Sequence, residues 1–228
     1  MLTAKFTEAV EYARAHHTND LRKGTTIPYL AHLLSVSALV LEHGGDETAA
    51  VAALLHEVVE DGGGEPALED IDERFGARVA VIVKGCSDTT AAVKEDWTSR
   101  KERYLEHLES APAGVLLVSA ADKLHNARSI LSDLSEHGEK LWERFDRGPH
   151  PQLWYYGSLR DIFVRRMPGL VERARPDGAR YQPQGGPLHP PCSATTSRDG
   201  GSWSPTAGRV RSWTGPAFPW SSIGRRPG

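Results

Sequence analysis

The chain has very little cysteine: two residues in 228, Cys86 and Cys192, far apart and in no C-x-x-C pair. That argues against a disulfide framework and against a thiolate zinc site. Charge of neither sign dominates, since the net value is −3 and the pI is near 6.4. A balance like this gives no reason to expect nucleic acid or an anionic membrane as a partner. Long apolar runs are missing too. No stretch reaches the roughly 18 residues of a membrane span, and MLTAKFTEAV at the start has no signal-peptide character. The expectation is a soluble protein of a reducing, cytoplasmic compartment. A length of 228 residues suits one domain plus an appendage.

What is present is helical pattern. Thr3 to His17 carries Phe6, Val10 and Ala13 at helical spacing with charge between them. NDLRKGTT reads as a loop, after which Pro28 opens a second helix, tolerated in a first turn and stopped at Gly44–Gly45. Asp46 caps a third helix that runs into LLHEVVEDG. ALEDIDERF, ending at glycine, is a fourth. ARVAVIVKGCS is β-branched enough for a strand, but no second alternating strand exists to pair with it, which favours helix. After the charged loop DTTAAVKEDW comes TSRKERYLEHLES with Thr98 as its cap, then the long APAGVLLVSAADKLHNARSILSDL, and finally residues 151–167.

These elements predict an all-α, compact multi-helix domain over residues 1–175. Beyond Arg175 the chain turns rich in Gly, Pro, Ser and Arg, without apolar periodicity. Such a stretch cannot bury enough surface to offset its ordering entropy, so residues 176–228 read as a disordered tail. Its Trp203, Trp213 and Trp220 are half of the chain's six tryptophans and leave a partner-binding role open.

The chemistry gathers in LLHEVVEDG. Glu57, Glu60 and Asp61 crowd what reads as a helix C-terminus, where the partial negative charge of the helix end repels carboxylates. A positive ion there is the economical remedy. On a regular helix His56, Glu57, Glu60 and Asp61 share an arc of roughly 140°, opposite Val51, Leu55, Val58 and Val59. Two further ionisable residues interrupt apolar helices: His32 in PYLAHLLSV and Asp122 in VLLVSAADKLHN. Taken singly, His32 reads as a hydrogen-bonded core histidine, Asp122 as the ion-pair partner of Lys123 or an arginine, and the acidic cluster as a solvated helix end. Taken together, imidazole and carboxylate suit Mn²⁺, Fe²⁺ or Zn²⁺ with water filling open positions. Glu60 and Asp61 are then placed to orient that water or carry its proton.

In order along the chain, RKGTTIPYLAH, LLHEVVED and SAADKLHNARS resemble three motifs of the HD-domain superfamily, in its alarmone hydrolase branch. That branch comprises the hydrolase domain of RelA/SpoT proteins and the stand-alone small alarmone hydrolases, and the similarity runs from about Phe6 to Met167. The resemblance implies His32, His56, Glu57 and Asp122 as ligands of one divalent metal, Mn²⁺ foremost, and Glu60 and Asp61 as the catalytic acidic pair. It further implies Arg22 stacked on a guanine base, Lys23 beside it, and Asn126 and Ser129 against the nucleoside. His125 stays outside the ligand set, free to steady a neighbour. Tyr155 or Tyr156 is a packing aromatic or closes the nucleoside side. One departure stands out: the family's His-Asp dipeptide is His56–Glu57 here, an arm one methylene longer.

The implied reaction removes the 3′-pyrophosphate from guanosine tetra- or pentaphosphate, giving GDP or GTP and pyrophosphate. The partner expected is thus a small guanosine nucleotide. Two rivals stand beside this reading: an HD phosphohydrolase of another nucleotide or NADPH, and a non-catalytic nucleotide- or metal-sensing module weakened by Glu57.

Overall fold

The computed structural model describes residues 1–87, 96–145 and 147–169, with backbone alone at 61 and 62. The tail read from residue 176 onward, and the loop residues 88–95, lie outside the described residues. Among the described residues the elements are helices: α1 Ala4–His16, α2 Tyr29–Glu42, α3 Glu47–Leu55, α4 Gly64–Phe75, α5 Ala77–Cys86, α6 Trp97–Ser110, α7 Ala113–His137 and α8 Pro149–Arg166. A π-helical turn, Val59–Gly63, joins α3 to α4, and a 3₁₀ turn, Gly138–Arg144, follows α7. None of these helices is long and apolar enough to cross a membrane. The all-α expectation holds, including for ARVAVIVKGC. As α5 it buries Val79, Ile82, Val83 and Cys86 along one face, a spacing that only a helix provides. Burial pushes the Cys86 thiol up to about 12, which fits a packing residue rather than a reactive one.

The bundle is organised around α3. Every residue from Ala49 to Leu55 is buried, because α1, α2, α5 and α7 enclose it. Its alanines let those neighbours approach closely, and Leu54 and Leu55 fill the space between, each worth about 1.5–3 kcal/mol of transfer free energy. Asp46 caps this helix as expected, its carboxylate accepting from the Ala49 N–H at 2.9 Å. The helix α7 crosses α3 and α5, and it is tied to α6 by a buried hydrogen bond of 2.7 Å between Tyr104 Oη and Ser119 Oγ.

Three boundaries differ from expectation. Pro28 is the residue before α2, not its first. The cap of α6 is Asp96, whose carboxylate accepts from the Thr98 N–H at 2.9 Å, so Thr98 lies inside the helix. The third matters most: α3 ends at Leu55, and the motif residues that follow are not on a regular α-helix. The chain turns through His56–Val58 and widens into the π-helical turn, closed by the Gly63 N–H donating to Val58 C=O at 3.1 Å, five residues back. Gly63 permits this closure. A Cβ there would meet the Ala67 side chain and lie 2.6 Å from the Val58 carbonyl oxygen.

Candidate metal centre

Three segments supply the centre. His32 comes from the first turn of α2, His56 and Glu57 from the end of α3, and Asp122 from the middle of α7. One ligand atom from each of the four lies within 4.8 Å of all the others. His32, His56 and Asp122 are buried, and Glu57 is partly so. Packing explains the convergence: α2 and α7 flank α3, so their inward residues face its C-terminal end.

The histidines are oriented from behind. His56 Nδ1 lies 2.8 Å from the Ala53 carbonyl oxygen and donates to it, turning Nε2 toward the centre. His32 Nδ1 lies 2.8 Å from His125 Nδ1. Burial lowers the pKa of His32, and burial together with the neighbouring His32 holds His125 down at about 4, so both are neutral at pH 7. His125 thus steadies a candidate ligand without being one. The Nε2 atoms of His32 and His56 are buried and face only the carboxylates of Asp122 and Glu57. Two imidazole nitrogens and the two carboxylates they face form a donor set that fits a borderline or hard divalent cation.

Asp122 uses its two oxygens differently. Oδ1 accepts from the Asn126 amide at 2.5 Å and lies 3.3 Å from His32 Nε2 and 3.8 Å from His56 Nε2. Oδ2 accepts from the Lys123 ammonium at 2.6 Å. The Lys123 partnership left open by the sequence therefore takes Oδ2, while Oδ1 faces the two imidazoles. Burial opposes the charge on Asp122, but Lys123 and the two histidines outweigh it and hold the carboxyl well below its usual range. Burial likewise opposes the Lys123 charge, and Asp122 more than offsets it.

His56 is the strained member. Burial disfavours its charge, yet hydrogen bonds to Asp122 and to Glu57, whose Oε1 is 3.2 Å from His56 Nε2, raise its pKa to about 10. Without metal, then, His56 is an imidazolium at pH 7. Metal uptake must expel that proton, while His32 is already neutral and both carboxylates already ionised. One proton released per metal is expected, with affinity rising about tenfold per pH unit from about 6.5 toward 10. Calorimetric titration in buffers of different ionisation enthalpy measures it; a release of zero would contradict this charge state.

Beside the centre opens a cleft of about 410 Å³ whose walls include Arg22, Lys23, Tyr29, Asn126, Ser129 and Tyr156. Arg22, Lys23, Asn126 and Ser129 are brought together as expected. Arg22 donates to Asn126 Oδ1 at 2.8 Å and to Ser129 Oγ at 3.5 Å, and its guanidinium sits 5.9 Å from the Tyr29 ring centroid. Asn126 consequently bridges the cleft and Asp122. Tyr155 is a core aromatic, whereas Tyr156 lines the cleft. Glu60 stands half-buried on the π-helical turn, three residues beyond Glu57. Asp61 follows it on the same turn, its side chain outside the described residues.

Two features escape the sequence reading. A histidine at a helix end reads as solvated, yet His17 is buried, its Nδ1 paired with Asp20 at 2.9 Å and its ring beside Tyr29. Arg144 and Phe145 line the cleft from the 3₁₀ turn, with Arg144 bonded to Asp133 at 3.0 Å. That short turn carries no apolar period to announce it.

A helical bundle that turns two imidazoles and two carboxylates onto one point offers a candidate divalent-metal site between helices. The model of the HD domain family matches residues 9–146, and the chain belongs to that family. Over 131 residues it is 33% identical to guanosine-3′,5′-bis(diphosphate) 3′-pyrophosphohydrolase MESH1 of Drosophila melanogaster, spanning 56% of this chain and 70% of that protein. The Danio rerio protein of the same name is 37% identical over 134 residues, with the same coverage. A guanosine-3′,5′-bis(diphosphate) 3′-pyrophosphohydrolase of Aquifex aeolicus is 32% identical, but the match spans 19% of its length. Among solved structures, one described as a metazoan ortholog of SpoT that hydrolyzes ppGpp superposes with a TM-score of 0.53 at 26% identity, covering 73% of this chain and 98% of that one.

Proposed function

We propose that the protein hydrolyses the 3′-pyrophosphate of guanosine tetra- or pentaphosphate, giving GDP or GTP and pyrophosphate. The observation that carries this reading is the convergence of His32, His56, Glu57 and Asp122, with two buried Nε2 atoms turned toward the two carboxylates, next to a cleft walled by Arg22 and Lys23. The names of the relatives that span most of their length point to the same substrate. Such nucleotides belong to the cytoplasm, where this reading places the protein.

In this reading His32, His56, Glu57 and Asp122 hold one divalent metal, Mn²⁺ by preference, with Fe²⁺ and Zn²⁺ meeting the same donor set. Bound there, the metal acidifies its water and polarises a phosphoryl oxygen. The chain's own residues do the rest. Glu60 and Asp61 position the attacking water and take its proton as it adds to the phosphorus attached to the 3′ oxygen. The bond from that phosphorus to the 3′ oxygen breaks, the 3′ oxygen leaves as a hydroxyl on recovering a proton from the acidic pair, and pyrophosphate is set free. Arg22 covers the purine face, Lys23 offers charge to phosphate, and Asn126 and Ser129 fix the nucleoside. Purified protein with Mn²⁺ is expected to release pyrophosphate from the alarmone and no orthophosphate from ordinary nucleoside monophosphates or NADPH. Silence of the full chain with each of the three metals overturns the proposal.

The sensor alternative rests on Glu57. Its longer arm nonetheless brings Oε1 to 3.2 Å from His56 Nε2, so the turn after α3 accommodates glutamate. Glu57→Asp would draw that oxygen back by one carbon–carbon bond, about 1.5 Å, and a shift of that order costs on the order of a hundredfold in rate. Turnover of the Glu57→Asp variant is expected to fall accordingly. A rise from an inert wild type would instead establish the sensor.

A further inference from the structure

The polar side of α7 continues past the residues assigned so far. Asp122, Asn126, Ser129 and Asp133 follow one another in steps of four, three and four residues, which keeps them on one side of the helix. At 1.5 Å per residue the row is about 16 Å long. Its first member stands in the metal centre and the other three line the cleft. Asp133 lies four residues beyond SAADKLHNARS, outside every motif of the family resemblance. Its Oδ2 accepts from Arg144 Nη1 at 3.0 Å, with the two side chains only 29% and 25% exposed. Arg144 is held from a second side by Gly24, at the tip of the loop that carries Arg22 and Lys23. A Cβ on Gly24 would lie 2.9 Å from Arg144 Nε and 3.0 Å from its Cδ. The cleft wall therefore carries a fixed carboxylate beside a fixed guanidinium, and their bond leaves Asp133 Oδ1 and Arg144 Nη2 for a ligand.

We propose that the Asp133–Arg144 pair reads the identity of the base, with Asp133 as the specificity-determining residue; this rests on the nucleotide reading above. The 3′ arm lies at the Asp122 end of the row and the purine against Arg22, so the edge of the base meets the Asp133 end. Guanine presents two donors side by side, N1–H and the 2-amino group, next to the O6 acceptor. A carboxylate accepts from both donors, and a guanidinium donates to O6. Adenine reverses the polarity. It sets the N1 lone pair against the carboxylate and its 6-amino group against the guanidinium. A pocket built on hydrogen bonds rejects such an analogue because its own polar groups are left unpaired.

Initial-rate kinetics of the full chain with Mn²⁺ compare the 3′,5′-bis(diphosphates) of guanosine, inosine and adenosine. Inosine differs from guanosine only in lacking the 2-amino group. Wild type is expected to favour guanosine over inosine by about tenfold in kcat/KM, and over adenosine by about a hundredfold or more. In Asp133→Ala the guanosine and inosine values should become equal, both lowered through KM, with metal content kept. Asp133→Asn has the same shape and offers a donor as well as an acceptor, so it should bring guanosine and adenosine within about tenfold of each other. A pair that only pins the 3₁₀ turn would instead lower all three substrates by one factor in both variants, leaving their ratios at the wild-type values. That outcome overturns the proposal, and so does a wild type that treats inosine like guanosine. If wild type cleaves none of the three, the reaction assigned above fails instead. Equilibrium binding of the same nucleotides to wild type and to Asp133→Ala then decides the base reading by the same ratios, and equal or absent binding overturns it.

Discussion

Asp122→Ala is expected to abolish metal binding and to lower turnover by about a thousandfold or more, the rate equivalent of losing several kcal/mol of transition-state charge stabilisation. The same change should also destabilise the fold, for a separate reason. Lys123 is only 19% exposed and its ammonium is held by Asp122 Oδ2. Removing the carboxylate strands that charge, at a cost of about 3–5 kcal/mol. Adding Lys123→Met removes the stranded charge, so the double variant should recover much of the lost stability while remaining metal-free and inactive. Denaturant midpoints, bound-metal content and pyrophosphate release measure the three quantities. If the single variant keeps its metal and its rate, Asp122 is an ordinary partner of Lys123 and the proposed centre is wrong.

Glu60→Gln combined with Asp61→Asn should behave in the opposite manner. Glu60 is not among the four converging residues, and the proposed mechanism gives Asp61 the same water-positioning role, so metal content should stay at the wild-type level. Turnover should drop by about 10²–10⁴, the span over which a positioned proton acceptor acts. Loss of metal along with rate would move these two carboxylates into the ligand set. Unchanged turnover would remove them from the chemistry altogether.

How far the molecule could be read in advance depended on what kind of force shaped each part. Helices set by local signals were visible: Asp46 caps α3 by its own side chain, and glycine stops α2 and α4. The cap of α6 was misplaced by two residues because Asp96 and Thr98 are both good capping residues, and only the direction of the chain in space selects between them. The candidate ligands were readable since ionisable groups inside apolar helices demand partners. The end of α3 was not. AAVAALLHEVVE has unbroken helical propensity, and the widened turn arises where Gly63 lets the backbone close on Val58. The burial of His17 was not legible for a related reason. A histidine at a helix end looks solvated until the rest of the fold covers it, here with Tyr29 against its ring.

Asn126 spends its carbonyl on Arg22 and its amide on Asp122. One short side chain therefore spans the two halves of the site, and movement at either end is transmitted to the other. On the proposed reading, drawing Arg22 onto a purine would reposition the carboxylate. A cation that draws in the carboxylate prepares the guanidinium in turn. Thermodynamic reciprocity then requires that nucleotide and ion strengthen or weaken each other's hold by one and the same factor.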